Sequence, residues 1–344
     1  MMRQDTSGHG RNAVEVRGLV KHFGDTKAVD GVHLNVREGT VMGVLGPNGA
    51  GKTTLVRMLC TLQLPDSGTA TVAGYDVARQ PRPLRRRIGL TGQYASVDER
   101  LSGFENLYMI GRLLDFSRSG ARQRAYEMLE RFSLTDAASK PIMKYSGGMR
   151  RRLDLAASMM GNPEVLFLDE PTTGLDPRTR QEVWDHTQQI VAEGNTVLLT
   201  TQYMEEAEYL ADELTVIDHG KVIAEGRIAD LKARVGQRML VIRPAVPQHL
   251  QHLVGVLTHY GLAGTVADEA QGVATVPIVS DEQLSGIVRV LGYYNYPIAD
   301  IATHLPSLDE VFLALTGQKT DSQDAGPPGS GPQGAGSGYQ EAVA

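Results

Sequence analysis

The sequence predicts a large α/β domain built on a parallel sheet, followed by a smaller α+β domain. Three short apolar runs, Val41–Leu45, Val165–Leu168 and Val197–Leu199, are bounded by turn or polar residues, which is typical of buried strands. Helical patterns separate the later runs, and strands that alternate with helices form parallel sheets with both faces covered. Beyond residue 236 the pattern changes, because strands and helices there follow the order βαββαβ.

The boundaries between these parts follow from changes in composition. Residues 1–12 are polar and lack the apolar core of a signal peptide, so we expect disorder there. The large domain spans 13–232, and within it the stretch of about 95–161 loses its β pattern and is expected to be helical. The small domain spans 236–317. The remaining residues, 318–344, are rich in Gly, Pro and Ser and cannot bury enough apolar surface to fold.

The small domain is expected to combine four strands with two helices. Its order is that of ferredoxin-like domains, which also begin and end on a strand. The expected strands lie at 239–243, 264–267, 273–278 and 298–303, and the expected helices at 249–260 and 282–291.

Composition argues against several functional classes. The chain has 344 residues, of which 41% are hydrophobic and 22% charged, and its net charge of −6 gives no support to a nucleic-acid partner. Its single cysteine, Cys60, excludes internal disulfides and cysteine-based zinc clusters and fits a reducing compartment. No apolar stretch approaches the roughly 20 residues that span a bilayer. We therefore expect a cytoplasmic protein that is held at a membrane only through a partner.

A phosphate-binding loop follows the first apolar strand. Residues Gly46–Thr53 match the pattern G-x-x-x-x-G-K-[ST] and lead into a helical pattern. Glycines let backbone N–H groups face the phosphates of a nucleotide, Lys52 reaches the β- and γ-phosphates, and the Thr53 hydroxyl ligates Mg²⁺. The alternative is a glycine-rich turn that holds no ligand. The residues expected to contact ATP are Gly46, Asn48, Gly49, Gly51, Lys52, Thr53 and Thr54.

Two carboxylates stand where the second apolar strand ends, at Asp169 and Glu170. Ligands of open α/β sheets bind at such strand ends. Asp169 suits a Mg²⁺ contact through water, because this hard cation prefers oxygen ligands. Glu170 is expected to polarise the attacking water. The alternative is a pair of solvated acids that cap a strand.

The tripeptide Ser146-Gly147-Gly148 directly precedes a helical run. A hydroxyl, free backbone N–H groups and a helix dipole together make a second anion site. One chain with one phosphate loop and a second phosphate-facing element suggests that two chains share two nucleotides. A flexible helix N-cap is the alternative for this tripeptide taken alone.

In this order the motifs resemble the nucleotide-binding subunits of ABC transporters, over roughly Val14 to Gly226. The resemblance implies a P-loop NTPase with a RecA-like core, an antiparallel β subdomain and a helical subdomain. It also implies ATP hydrolysis by a homodimer that drives a separate transmembrane permease. By the same resemblance Phe23 stacks on adenine, Gln93 is the Q-loop glutamine and contacts Mg²⁺, and Asp176 belongs to the D-loop.

Four segments of the sequence resemble one subgroup of this family, the daunorubicin-resistance ATP-binding subunits. The segments that carry it are 88–98, 145–152, 200–206 and 307–316. This resemblance implies efflux of a bulky hydrophobic drug, with the chain on the inner face of the cell membrane through its permease. An exporter of lipid or polysaccharide, or a soluble ABC ATPase without a permease, is the alternative.

One departure concerns catalysis, because Gln202 stands where most of the superfamily has a switch histidine. Glutamine can donate a hydrogen bond to the γ-phosphate but does not titrate near neutral pH. We expect hydrolysis to persist, with Glu170 as the principal catalytic residue, Lys52 stabilising charge and Gln202 sensing the γ-phosphate. A plain surface glutamine, or a regulatory protein that does not hydrolyse ATP, is the alternative.

Two short basic runs, Arg85–Arg87 and Arg150–Arg152, remain. Runs of this length are usually solvated, and we expect exposed faces at both places. Balancing of nearby phosphate charge by the second run is the alternative.

Overall fold

The computed structural model describes residues 11–92, 97–235, 238–262, 264–269, 271–294, 296–304, 307–308 and 311–312. Its strands are numbered in chain order. They are β1 (Asn12–Phe23), β2 (Thr26–Arg37), β3 (Val41–Leu45), β4 (Ser67–Val72), β5 (Tyr75–Asp76), β6 (Ile88–Thr91), β7 (Val165–Asp169), β8 (Thr196–Thr201), β9 (Glu213–Asp218), β10 (Lys221–Arg227), β11 (Arg238–Pro244), β12 (Val266–Asp268), β13 (Val273–Ile278) and β14 (Ile298–His304).

The helices are numbered in the same way, and two short 3₁₀ turns, Thr135–Ala137 and Ile142–Lys144, lie between the fourth and fifth. They are α1 (Lys52–Leu59), α2 (Pro81–Leu84), α3 (Gly103–Leu113), α4 (Arg118–Arg131), α5 (Gly147–Ser158), α6 (Pro177–Ala192), α7 (Met204–Leu210), α8 (Ile228–Val235), α9 (Leu250–His259) and α10 (Asp281–Tyr293). Among the described residues, none of these helices combines the length and apolar character needed to cross a membrane.

The central sheet has the strand order β10-β9-β3-β8-β7-β6 and is parallel except for β10. Side chains alternate between its faces, so neighbouring residues of one strand enter different cores. On β7, Val165 and Phe167 pack into one core, whereas Leu166 and Leu168 pack into the other. Both faces are therefore covered, which explains why β3, β7 and β8 are apolar runs without alternation. The α/β prediction is confirmed.

Two smaller layers flank this sheet. An antiparallel sheet of order β2-β1-β4-β5 packs on the face that carries α1. Helices α3, α4 and α5 form a unit on the other side, packed in one core with β7 and β8. Helix α3 begins with a capping box, because Ser102 Oγ accepts a hydrogen bond from Glu105 N at 3.2 Å and Glu105 Oε2 accepts one from Ser102 N at 2.8 Å.

The small domain has the strand order β12-β13-β11-β14, all antiparallel, with α9 and α10 packed on one core. Its chain order, β11-α9-β12-β13-α10-β14, is the βαββαβ order that the sequence predicts. The chain then returns to the large domain, where Leu308, Val311 and Phe312 pack against Leu45 and Met204. The predicted combination of a P-loop domain with a small α+β domain is confirmed.

Candidate active site

The phosphate loop joins β3 to α1, and two of its glycines have no substitute. A Cβ at position 46 would lie 2.2 Å from the Ile217 carbonyl oxygen, and one at position 51 would lie 2.1 Å from that of Ala28. Gly51 also has φ +105°, a conformation that other residues rarely adopt. The backbone can therefore curl tightly only with glycine here, and α1 begins at Lys52 with its N–H groups facing the loop.

Lys52 is 4% exposed and lies at the centre of the site. Its Nζ donates to the carbonyl oxygens of Gly46 at 2.7 Å and Pro47 at 3.0 Å, and lies 3.2 Å from Glu170 Oε1. Burial lowers the pKa of Lys52, and the neighbouring carboxylates of Glu170 and Asp169 oppose that shift. The structure thus joins the phosphate-loop cation directly to the residue predicted to polarise water.

Thr53 and Asp169 form the second contact between α1 and the end of β7. Thr53 Oγ1 donates to Asp169 Oδ1 at 3.2 Å, and Thr200 Oγ1 from β8 donates to the same oxygen at 2.6 Å. A hydroxyl and a carboxylate beside a phosphate loop are oxygen donors of the kind that Mg²⁺ prefers. The residues present therefore fit a Mg²⁺ ion that takes its remaining ligands from phosphate and water.

Glu170 has an unusual backbone conformation, with φ +50°. Such left-handed conformations cost on the order of 1–3 kcal/mol for a residue other than glycine and persist only when the surroundings fix them. Its N–H donates to the Thr200 carbonyl at 3.0 Å and lies 3.2 Å from Thr200 Oγ1. The strained turn directs the carboxylate towards Lys52, because the ion pair forms within 3.2 Å.

An open cavity of about 490 Å³ extends from Glu170 to the start of α5. Gln202 is half-buried and lines this cavity together with Asn48, Gly147 and Glu170. Gln202 therefore faces the same space as the predicted catalytic glutamate. Its role as a γ-phosphate sensor stays a prediction.

Ser146 and Asp176 lie at the N-terminal ends of two packed helices, α5 and α6. Ser146 caps α5, since its Oγ accepts a hydrogen bond from Met149 N at 3.2 Å. Asp176 caps α6 by accepting from Thr179 N at 3.1 Å and Thr179 Oγ1 at 2.7 Å. A Cβ at Gly148 would lie 2.6 Å from Thr179 Cγ2, so only glycine lets the two helix starts approach this closely.

Comparison with known proteins agrees with this geometry. Residues 29–173 match the family described as ABC transporter. The Daunorubicin resistance ATP-binding protein DrrA2 of Streptomyces coeruleorubidus is 52% identical over 91% of this chain and 98% of its own length. The Doxorubicin resistance ATP-binding protein DrrA of Mycobacterium tuberculosis is 46% identical over 90% of this chain and 95% of its own length.

This chain belongs to the daunorubicin-resistance group of ABC transporter ATP-binding proteins. Among solved structures, cbiO1 from Clostridium perfringens, part of the ABC transporter complex cbiONQ, matches with a TM-score of 0.60 and 27% identity over 64% of this chain and 91% of its own. An ATP-binding cassette of an ABC transporter in its ADP conformation matches with a TM-score of 0.58 and 26% identity over 63% and 91%. The chain is an ATPase of this family, as its site predicts.

The predicted nucleotide contacts of this ABC ATPase also include Phe23 and Gln93. Phe23 ends β1 with half of its surface exposed, and Lys21 Nζ lies 5.8 Å from the centre of its ring. An exposed ring at this place is available for stacking on a base, which stays a prediction. Gln93, predicted to contact both nucleotide and Mg²⁺, lies outside the described residues.

The expectation that Arg150–Arg152 forms a solvated face is wrong for Arg151. This side chain is 8% exposed, and its guanidinium contacts main-chain carbonyls at the ends of β6 and β7. Arg150 instead makes an ion pair with Glu99 at 2.7 Å. Within this run a buried residue follows a partly exposed one, because consecutive residues of a helix point in directions about 100° apart.

Sequence reasoning missed Thr200, Arg151 and Glu206 as members of the site. Glu206 is fully buried on α7, and its Oε1 accepts hydrogen bonds from Thr172 Oγ1 at 2.8 Å and Trp184 Nε1 at 3.0 Å. Burial raises the pKa of Glu206, and hydrogen bonds from Thr201, Thr172 and Trp184 oppose the shift. Thr200 carried one usable signal, because it lies near the carboxyl end of β8, which neighbours β7 in the sheet.

Proposed function

We propose that this chain is the ATP-hydrolysing subunit of an exporter, and that two copies drive a separate membrane permease for a hydrophobic drug. The observation that carries the proposal is the buried Lys52–Glu170 pair beside the Thr53–Asp169 contact. A cation for phosphate oxygens, two oxygen donors for a metal and a carboxylate for water converge at one edge of the sheet. The relatives named for daunorubicin and doxorubicin resistance support the drug as cargo.

The mechanism follows from the roles these residues can take. Lys52 and the loop N–H groups would hold the phosphates. Thr53 and Asp169 would hold a Mg²⁺ ion, which would supply positive charge against the negative charge that develops on the phosphates. Glu170 accepts a hydrogen bond from water and orients it toward the γ-phosphate. Gln202 donates a hydrogen bond to that phosphate group and so distinguishes ATP from ADP.

Pairing of two copies explains the exposed start of α5. In the proposed dimer each nucleotide lies between the phosphate loop of one copy and Ser146, Gly147 and Gly148 of the other. A γ-phosphate that contacts both copies favours the closed pair, because ADP lacks those contacts. Asp176 at the start of the neighbouring helix then lies at the same interface. The permease would hold the dimer at the inner face of the membrane.

The decisive test measures phosphate release by the subunit co-purified with its permease. Wild-type protein is expected to turn over ATP, and Glu170→Gln to lose about 100-fold or more in turnover while still binding ATP. Light scattering with ATP and Mg²⁺ is expected to report a dimer of the Glu170→Gln variant. Undiminished turnover in Glu170→Gln would exclude the proposed water-orienting role. A strictly monomeric variant would exclude the shared-nucleotide arrangement.

A second cargo class has support of its own. A Nod factor export ATP-binding protein I of Rhizobium sp. is 36% identical over 90% of this chain and 98% of its own length. Drug-stimulated ATP turnover in vesicles that carry both subunits would favour the drug. Stimulation by a lipid or a polysaccharide instead would favour this second class. Turnover that needs no permease would indicate a soluble ATPase.

A further inference from the structure

Arg151 links three parts of the site through one buried side chain. It lies on α5, five residues after Ser146, and its guanidinium donates to three main-chain carbonyls. Nε donates to Pro171 O, Nη1 to Gly92 O at 2.9 Å and Nη2 to Glu170 O at 3.3 Å. These acceptors directly follow β6 and β7, at the edge of the sheet where the catalytic carboxylates lie.

The chemistry of this place requires a guanidinium. Its planar fork carries five N–H donors that can bond separate acceptors, whereas a lysine ammonium is a compact charge with three. Burial lowers the pKa of Arg151, and the carboxylates of Asp154, Glu206 and Asp169 oppose the shift. A buried cation is costly unless its N–H groups are hydrogen-bonded and opposite charge lies nearby. Arg151 donates to three carbonyls and lies near carboxylates that favour its charged form.

One of the three acceptors is the carbonyl of Glu170, whose φ of +50° is strained. Thr200 fixes the N–H end of this residue from β8, at 3.0 Å from its carbonyl oxygen. Arg151 fixes the carbonyl end from α5. With both ends of the residue held, the backbone has little freedom to relax out of the left-handed conformation that directs the carboxylate to Lys52.

We infer that Arg151 is a positioning residue, which holds the backbone of Glu170 in its strained conformation and ties it to the helix that Ser146 begins. The inference rests on the proposed function, in which Glu170 orients water and Ser146 meets the nucleotide of the second copy. A shift of α5 at one nucleotide then reaches, through a single side chain, the glutamate that serves the other. The Gly92 contact extends the same link to the residue just before Gln93.

The test compares Arg151→Gln and Arg151→Lys with the wild type, each co-purified with the permease. Misplacement of Glu170 is expected to lower kcat by about 10- to 100-fold for Arg151→Gln, with KM for ATP changed less than about threefold. Arg151→Lys keeps the charge and is expected to recover part of the loss. Arg152→Gln is the matched control. Its guanidinium also bonds carbonyls, of Phe132 and Ser133 at 3.4 Å, but it does not line the catalytic cavity.

A double-mutant cycle separates a role in positioning Glu170 from a general destabilisation of the protein. In a Glu170→Gln background no carboxylate remains to be positioned, so Arg151→Gln is expected to lower the residual turnover no further. A further loss equal to that seen in the wild-type background would overturn the inference. If Arg151→Gln does not fold, the same cycle is measured with Arg151→Lys, and the same two outcomes decide.

The outcome also separates this inference from the proposed function. Absence of ATP turnover in the wild type, or turnover that does not need Glu170, would overturn the proposed function. Turnover that needs Glu170 but is unchanged in both Arg151 variants would overturn only the role of Arg151. A rise in KM with unchanged kcat would also overturn it, because that pattern indicates lost nucleotide binding rather than a misplaced catalytic group.

Discussion

The ATPase domain and the small domain both pack helices on a sheet, but they differ in what they bury. In the part of the chain that the structure describes, every buried polar or charged side chain lies between Lys52 and Thr215. The core of the small domain is built from apolar residues such as Leu240, Leu253 and Val276. Buried polar groups cost free energy unless they are bonded, so the ATPase domain carries that cost where chemistry needs them.

This difference in buried polar groups indicates that stability and catalysis depend on separate parts of the chain. A substitution in the polar cluster should affect turnover more than folding of the small domain. A substitution in the apolar core of the small domain should do the reverse.

The largest effect is expected from Lys52→Met. The variant loses the cation that lies 3.2 Å from the Glu170 carboxylate, along with its bonds to the loop carbonyls. Turnover should fall about 1,000-fold, and ATP affinity should fall with it. Phosphate release and nucleotide binding measure both. Lys140→Met, at an exposed position, is the control and should match the wild type. Equal losses in both variants would contradict the assignment of Lys52.

The next largest effect is expected from Leu253→Ala in the small domain. Leu253 is fully buried in α9, and its truncation leaves a cavity, which typically costs about 2–5 kcal/mol. Hydrogen exchange should accelerate across 238–304, whereas ATP affinity stays unchanged. Loss of nucleotide binding together with the fold of the small domain would contradict the separation of stability and catalysis.

A pH-dependent effect is expected at Glu206. Because burial raises its pKa above that of the unfolded chain, the folded state keeps a proton that the unfolded state releases. Its contribution to the free energy of unfolding is full at acidic pH and is lost as pH rises through the folded pKa. Glu206→Gln keeps an acceptor for Thr172 and Trp184 and should flatten this dependence. Urea unfolding from pH 5 to 8 measures it, and an unchanged slope would contradict it.

The smallest effect is expected from Gly255→Ala. Gly255 lies inside α9, and a Cβ there meets no atom within 4 Å. Alanine should therefore stabilise the small domain by about 0.5–1 kcal/mol, through reduced freedom of the unfolded chain. Thermal unfolding measures the gain. The contrasting variant, Gly51→Ala, should destabilise instead, since its Cβ would lie 2.1 Å from the Ala28 carbonyl oxygen.

Most of the architecture and the main motifs of the site could be predicted from the sequence, but several contacts within the site could not. The buried strands and the βαββαβ order could be predicted, because periodicity and motif spacing are local properties. The burial of Arg151 could not be predicted from the sequence, because short basic runs are usually solvated. Roles for Gln202, Phe23 and Asp176 at the nucleotide stay predictions.

The phosphate loop and the paired acids could be recognised from the sequence alone, since each is a short continuous segment. Only the tertiary structure decided which distant groups meet these motifs. Arg151 bonds Gly92 across 59 positions, and Thr200 bonds Asp169 across 31. The physical reason is that burial and hydrogen-bond partners depend on how strands order themselves in the sheet, and that order is not contained in any local pattern.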